Sequence, residues 1–351
     1  MLSNLFTRTL PDLWQNRQQR DQLLGGMGML LGVGAGLAGH AILREPLHVR
    51  LDHTTIRLAN GRGRLPATGL RILHLSDTHF RGEHWREQPK IDSIRRACAG
   101  LQYDLLVHTG DFLHYDSGLP NVLALLDTLP RPRLGGYAVL GNHDYTTYSH
   151  QGMIERAWGK FSQLHAARNG SRHTFWGLAE SVVEFADYFA NSPLDLKRTG
   201  GNNVAALEEA LTTRGIAMLQ NRYLRLTAPG LDIYLAGVDD FTEGAPALDR
   251  ALADIPPDAP TILLSHNPDI LLDPHIAQVD LVLSGHTHGG QIVLPLLGAA
   301  HTQSEHLRRH EVSGHLRRGN TQVYITRGIG EGIPIRFGAA PQVTLITVLG
   351  A

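Results

Sequence analysis

The chain has 351 residues, a formal net charge of −1, 20 histidines and a single cysteine. Balanced charge excludes the basic excess of a dedicated nucleic-acid binder, and 42% hydrophobic content excludes a disordered acidic chain. Cys98 alone supports neither an intrachain disulfide nor a cysteine-based zinc site. Histidine is the unusual feature, because imidazole serves both metal binding and acid–base chemistry near neutral pH.

Residues 1–22 form a polar segment, with Arg8, Arg17 and Arg20 set against Asp12 and Asp21. Residues 23–43 then contain no Asp, Glu, Lys or Arg. Such a run is long enough to span a hydrocarbon core of about 30 Å as a helix. Gly28, Gly32 and Gly36 would give that helix a smooth face for close packing. An uncleaved anchor, a cleaved export signal and a buried helix all fit the run. The anchor is the expectation carried forward, for a single-pass protein of the cell membrane. Arginines on both sides, with Arg44, Arg50, Arg57 and Arg62 following, leave the orientation open.

From residue 52 the pattern alternates strand, loop and helix. Strands are predicted over 70–76, 105–109, 137–140, 232–238, 261–265, 281–284, 322–326 and 343–348, and helices over 90–101 and 122–129. Short apolar runs bounded by Gly, Asp and Pro describe sheets buried on both faces, and the alternation gives an α/β class. Residues 145–202 break the rhythm and read as an insertion. Trp158, Phe161, Phe175, Trp176, Phe185, Tyr188 and Phe189 suit either a packed surface helix pair or a lid for a lipid-like substrate.

Five predicted strands end in polar residues. These ends are Ser76-Asp77-Thr78-His79, Gly110-Asp111, Gly141-Asn142-His143-Asp144, Ser265-His266-Asn267 and Gly285-His286-Thr287-His288-Gly289-Gly290-Gln291. Ligands of open α/β sheets bind at the carboxyl ends of strands, so these five could converge. Asp77, His79, Asp111, Asn142, His266, His286 and His288 suit Mn, Fe, Zn, Ni or Co. Seven donors are too many for one tetrahedral ion and suit two ions sharing a bridging carboxylate, a role open to Asp111. Each motif alone is weak, since Asp-x-His arises by chance and Gly-Asp often only closes a turn. All five in this order are hard to explain as structure alone, because clustered buried polar groups need a compensating partner.

The order Asp77-x-His79, Gly110-Asp111, Gly141-Asn142-His143-Asp144, His266, Gly285-His286-x-His288 resembles the calcineurin-like metallophosphoesterase superfamily over residues 68–349. Closest in style is its bacterial, membrane-associated subgroup, through Leu264–Asp269, Asp280–Gln291 and the tail from Arg327 to Gly338. The resemblance implies a four-layer α/β/β/α sandwich, here preceded by the N-terminal hydrophobic helix and occupying 52–351. It implies that Asp77, His79, Asp111 and His288 hold one divalent metal and Asp111, Asn142, His266 and His286 a second, with His143 facing substrate as the catalytic acid. The protein-phosphatase pattern Gly-Asp-x-x-Asp-Arg-Gly is broken here, because Phe112, Leu113 and His114 follow Asp111. The aspartate that would orient His143 is absent, which argues against protein phosphatase activity.

The expected function is metal-dependent hydrolysis of a phosphodiester or pyrophosphate bond by a hydroxide activated at two divalent ions. The substrate is a phosphate ester, with a lipid-linked one suggested by the anchor and the aromatic insertion. A specific version is UDP-2,3-diacylglucosamine pyrophosphatase of lipid A synthesis. A nuclease is disfavoured by the charge balance, so no nucleic-acid partner is expected. A non-catalytic metal-binding scaffold would show degenerate ligands, and none is missing. His301, His306, His310 and His315, among Arg308, Arg309, Arg317 and Arg318, read as a late basic loop that is either solvated or in contact with an anionic group.

Overall fold

The computed structural model describes residues 32–149, Gly159 and residues 197–351. The chain divides into two compact units, Met1–Arg44 and Glu45–Ala351. In the first, residues 32–39 are α-helical and His40–Arg44 form a π-helical turn. Residues 23–31 of the expected anchor lie outside the described residues, and among the described residues no helix is long and apolar enough to cross a membrane.

The second unit runs through β1 (Arg50–Leu58), β2 (Leu70–Leu75), α1 (His84–Cys98), β3 (Leu105–Thr109), α2 (Leu119–Thr128), β4 (Gly135–Val139), the single turn α3 (Asn142–Tyr145) and β5 (Thr146–Ser149). It continues with β6 (Lys197–Gly201), α4 (Val204–Thr213), β7 (Ile216–Met218), β8 (Arg222–Ala228), β9 (Leu231–Gly237), α5 (Leu248–Leu252), β10 (Thr261–Leu264) and β11 (Leu281–Ser284). The short pair β12 (Val293–Leu294) and β13 (Gly298–Ala299) precedes β14 (Gly314–Arg318), β15 (Thr321–Ile325) and β16 (Gln342–Gly350).

Two six-stranded sheets result, in the orders β1-β16-β2-β3-β4-β7 and β14-β15-β11-β10-β9-β8. In the first, β2, β3, β4 and β7 are mutually parallel, and β16 runs antiparallel to β2 and parallel to β1. In the second, β9, β10, β11 and β15 are parallel, with β8 and β14 antiparallel at the edges. Side chains alternate across each strand, so one strand feeds two cores. Leu70, Ile72, Leu105 and Val107 meet Ile233, Leu235, Ile262 and Leu264 between the sheets. Leu73, Leu75 and Leu106 face the other way, onto Ile91 and Ile94 of α1, Val122 and Leu125 of α2, and Leu207 and Leu211 of α4. Ala236, Leu263 and Val282 pack on Leu248, Ala251 and Leu252 of α5. The layers are therefore helix, sheet, sheet, helix.

Several boundaries differ from expectation. The unit begins at Glu45, before residue 52, because β1 pairs with β16 from Arg50↔Gln342 onward and Val49 is buried. The helix expected over 90–101 runs instead from His84 to Cys98, with Pro89 inside it. The Glu87 carboxylate accepts the backbone N–H groups of Arg81 (2.6 Å) and Glu83 (3.2 Å), which fixes the entry turn. Most of the expected insertion, 150–196 apart from Gly159, lies outside the described residues. Its two ends are joined by the antiparallel pair β5–β6. The late basic segment is partly strand β14, where Arg318 pairs with Glu311 at 2.8 Å and the His315 ring meets Gln322 at 3.0 Å.

Candidate metal centre

The carboxyl ends of β2, β3, β4, β10 and β11 meet at one place and bring all eight expected residues there. Asp77 and His79 follow β2, Asp111 follows β3, Asn142 and His143 open α3 after β4, His266 follows β10, and His286 and His288 follow β11. Among the described residues, three groups of donors lie close enough to share an ion: Asp77, His79 and His288; Asp111, His266 and His286; and His79, His114 and His143.

Asp111 links the first two groups. Its Oδ2 lies 3.1 Å from His79 Nε2 and 3.2 Å from His266 Nε2, while its Oδ1 accepts the backbone N–H of His143 at 2.8 Å. Asp77 Oδ1 stands 3.9 Å from His79 Nε2 and 3.8 Å from His288 Nε2, and accepts the backbone N–H of His286 at 3.0 Å. His266 Nε2 and His286 Nδ1 are 3.1 Å apart, and the Thr109 carbonyl holds His266 Nδ1 at 2.7 Å. That outer contact fixes which ring nitrogen of His266 faces Asp111.

The backbone is bent to make this possible. Asp77, His79, Asp111, His286 and His288 all have positive φ, between 46° and 70°. Non-glycine residues in this region are uncommon, and such conformations cluster at functional sites. Hydrogen bonds across the strand ends hold the turns: Asp77 N–H to Gly110 O at 2.9 Å, and His79 N–H to Asp111 O at 3.1 Å. Close approach also demands glycine. A Cβ on Gly285 would collide with Asp77 Oδ2 and Ser76 Oγ, and one on Gly141 with Asp111 Oδ1.

Burial and neighbouring charge set the protonation. Burial alone would raise the Asp111 pKa, but His266 and His79 outweigh it and hold it well below the carboxylate range. Burial opposes charge on His266, but Asp111 lifts its pKa to about 10. Burial drives His286 down to about 3 and lowers His288 well below the usual imidazole value. Both rings are therefore neutral donors, the form that binds metal. Buried donor atoms without a hydrogen-bond partner include both ring nitrogens of His79, Nδ1 of His288 and Oδ1 of Asn142. Buried polar atoms are normally paired, so these orphans, with an all-oxygen and nitrogen donor set, fit divalent cations.

Residues outside the expected set also line the site. The His114 ring lies 5.8 Å from His79 and 5.0 Å from His143, stacked on the latter. Its signal in the sequence was its position three residues after Asp111, where a search for a carboxylate passes over it. Tyr148 meets the His143 ring edge-on at 4.8 Å and donates to Glu243 at 2.5 Å. Asp144 accepts the N–H groups of Leu113 and Gly141, each at 3.0 Å, and burial together with Asp111 pushes its pKa up to about 8. His74 and His108 are buried strand residues that belong to none of the three donor groups. His74 Nε2 pairs with Thr109 Oγ1 at 2.9 Å, and His108 stacks on Phe112.

The calcineurin-like phosphoesterase family matches residues 70–290. UDP-2,3-diacylglucosamine pyrophosphatase LpxG of Chlamydia trachomatis is 31% identical over 343 residues, 92% of this chain and 99% of the relative. The metallophosphoesterase YkuE of Bacillus subtilis is 27% identical, covering 95% of this chain and 98% of its own length. Phosphodiesterase YaeI of Escherichia coli is 32% identical over 49% of this chain and 60% of its own. The chain belongs to the calcineurin-like phosphoesterase family, and it is a hydrolase of phosphoester bonds.

Proposed function

We propose that the protein hydrolyses the pyrophosphate bond of a nucleotide-linked acylated sugar, of the UDP-2,3-diacylglucosamine class. The observation that carries the hydrolytic centre is the shared carboxylate. Asp111 Oδ2 sits between His79 Nε2 and His266 Nε2, with Asp77 and His288 on one side and His286 on the other. Near-full-length similarity to a UDP-2,3-diacylglucosamine pyrophosphatase supports the substrate class. Residues 23–43, free of Asp, Glu, Lys and Arg, would keep the enzyme at the membrane where an acylated substrate resides.

In this reading Asp77, His79, Asp111 and His288 hold one divalent cation, and Asp111, Asn142, His266 and His286 the other. Cations so held would lower the pKa of a water and neutralise phosphoryl charge. The chain's own groups do the remaining work. The His143 backbone N–H and the His266 ring orient the two Asp111 oxygens. The Thr109 carbonyl keeps His266 in one orientation. The His143 imidazole, set between His114, His79 and Tyr148, gives its proton to the leaving oxygen.

The test is turnover of UDP-2,3-diacylglucosamine by the full chain with Mn²⁺, read as UMP release. Asp111→Asn is expected to lower it by more than about a hundredfold, beyond the loss of an outer partner. Cleavage of bis-p-nitrophenyl phosphate without release of UMP would instead support a phosphodiesterase. No hydrolysis of either with any divalent metal would leave the scaffold.

A further inference from the structure

Beside the metal centre lies a cavity of about 130 Å³ that shares His79 with it. That is well above the ~10–15 Å³ one water needs, so a polyatomic group can enter. The first turns of α1 form one wall, through Trp85, Arg86 and Lys90, and Arg81 and Glu331 contribute others. Arg81, Arg86 and Lys90 bring three positive charges to the lining, against the carboxylates of Glu83, Glu87 and Glu331, and Arg336 stands 3.5 Å behind Glu331.

Most of these groups are already engaged. Lys90 Nζ donates to Glu331 at 2.6 Å and to the Ile329 carbonyl at 3.0 Å. Arg81 Nη2 donates to the Gly332 carbonyl at 2.6 Å. Arg336 donates to the carbonyls of Ala339 and Arg327, both at 2.8 Å. The carboxylate of Glu87 is taken up by backbone N–H groups and by Asn121 at 2.5 Å. Among the cationic side chains that line the cavity, Arg86 is the exception, and Arg336 Nε, outside the lining, likewise lacks a hydrogen bond. The Arg86 side chain is 9% exposed, and its Nη2 makes no hydrogen bond, lying 3.6 Å from Glu331. A buried guanidinium N–H without an acceptor is costly, and a phosphate oxygen is the acceptor that guanidinium geometry suits. The N-terminal turn of the 15-residue α1 adds its positive dipole end. Trp85 stands at the rim with its side chain largely exposed and the Arg86 guanidinium 5.2 Å from its ring. An exposed indole beside an anion seat suits an aromatic base, which stacks on such rings.

We propose that this cavity binds the second phosphoryl group of the substrate, on its nucleoside side, through Arg86, with the base resting on Trp85. The assignment deepens the pyrophosphatase reading and rests on it for the nature of the substrate. It places the nucleoside half over the start of α1, next to His79, and leaves the other half of the substrate to the rest of the site.

The test separates this seat from the metal centre by removing metal. Full-length protein in excess EDTA is titrated calorimetrically with inorganic phosphate, uridine and UMP. The expected result is binding of phosphate, binding of UMP at least tenfold tighter, and unchanged UMP binding by Asp111→Asn. Arg86→Met should weaken both anions at least tenfold, and Trp85→Ala should reduce UMP to the level of phosphate. Absence of UMP binding by the wild type in EDTA overturns the proposal without requiring any variant to fold. So does UMP binding by Arg86→Met at wild-type strength, or its loss in Asp111→Asn. If UMP behaves as expected while UDP-2,3-diacylglucosamine is not hydrolysed, the seat stands and the pyrophosphatase reading falls.

Discussion

Acid should weaken this fold through His74. The side chain is fully buried in β2, with Nε2 2.9 Å from Thr109 Oγ1, and burial pushes its pKa down to about 3. In the unfolded chain the ring titrates near 6.5. The unfolded state therefore takes up a proton as pH falls through about 6.5, while the folded state stays neutral down to about 3. Stability is full above the unfolded value and is lost across that window. At about 1.36 kcal/mol per pH unit, lowering pH from 7 to 5 removes roughly 2 kcal/mol through this one group. The variant His74→Gln keeps a partner for Thr109 and cannot titrate. Urea unfolding at both pH values, with the m-value checked for constancy, measures the difference. Wild type should lose about 2 kcal/mol more than His74→Gln. Equal losses in the two proteins would refute the argument, because every other buried imidazole is common to both.

Three further outcomes follow from the site and its support. Gly285→Ala forces a methyl group against Asp77 Oδ2 and Ser76 Oγ. It should cost about 1–3 kcal/mol and weaken Mn²⁺ binding, seen in thermal unfolding and a metal titration of turnover. Glu331→Leu strips the carboxylate from buried Lys90, Arg336 and Arg86. Burial alone would raise the Glu331 pKa, but those cations outweigh it and hold it below the usual range, so its loss should cost about 3–5 kcal/mol in urea unfolding. His143→Ala leaves the backbone N–H on Asp111 in place. Metal stoichiometry should therefore persist while kcat falls about 10²–10⁴-fold, and full turnover would remove the acid role.

The division between what was legible and what was not follows the sheets. The eight strands expected from apolar runs correspond to β2, β3, β4, β9, β10, β11, β15 and β16. All eight are interior strands, flanked on both sides in their sheets. The four edge strands, β1, β7, β8 and β14, were not read. The cause is physical. An interior strand packed on both faces is mostly apolar, as Leu105–Val107 is in β3, where every residue is buried. An edge strand alternates with exposed charge, as Arg50 and Arg57 do in β1 and Arg222 and Arg225 in β8. Its apolar signal is halved, and β7 has only three residues. The helix α4 escaped for a different reason, because its start at Val204 abuts the irregular segment after β6.

The convergence of donors was legible for the same reason. Interior parallel strands carry their carboxyl ends to one side, and polar residues just past each apolar run mark those ends. What the sequence could not display is the backbone that turns these side chains inward. Aspartate and histidine at 77, 79, 111, 286 and 288 occupy a left-handed conformation that glycine would adopt with less strain. At about 1–3 kcal/mol for each such residue, the strain is comparable with the stability of a whole domain. The chain retains side chains there and confines glycine to adjoining positions such as Gly285 and Gly141, where space is the constraint. His114 follows the same logic. Three residues beyond Asp111 it reaches the His79 and His143 rings, so the stack replaces an expected carboxylate with an imidazole.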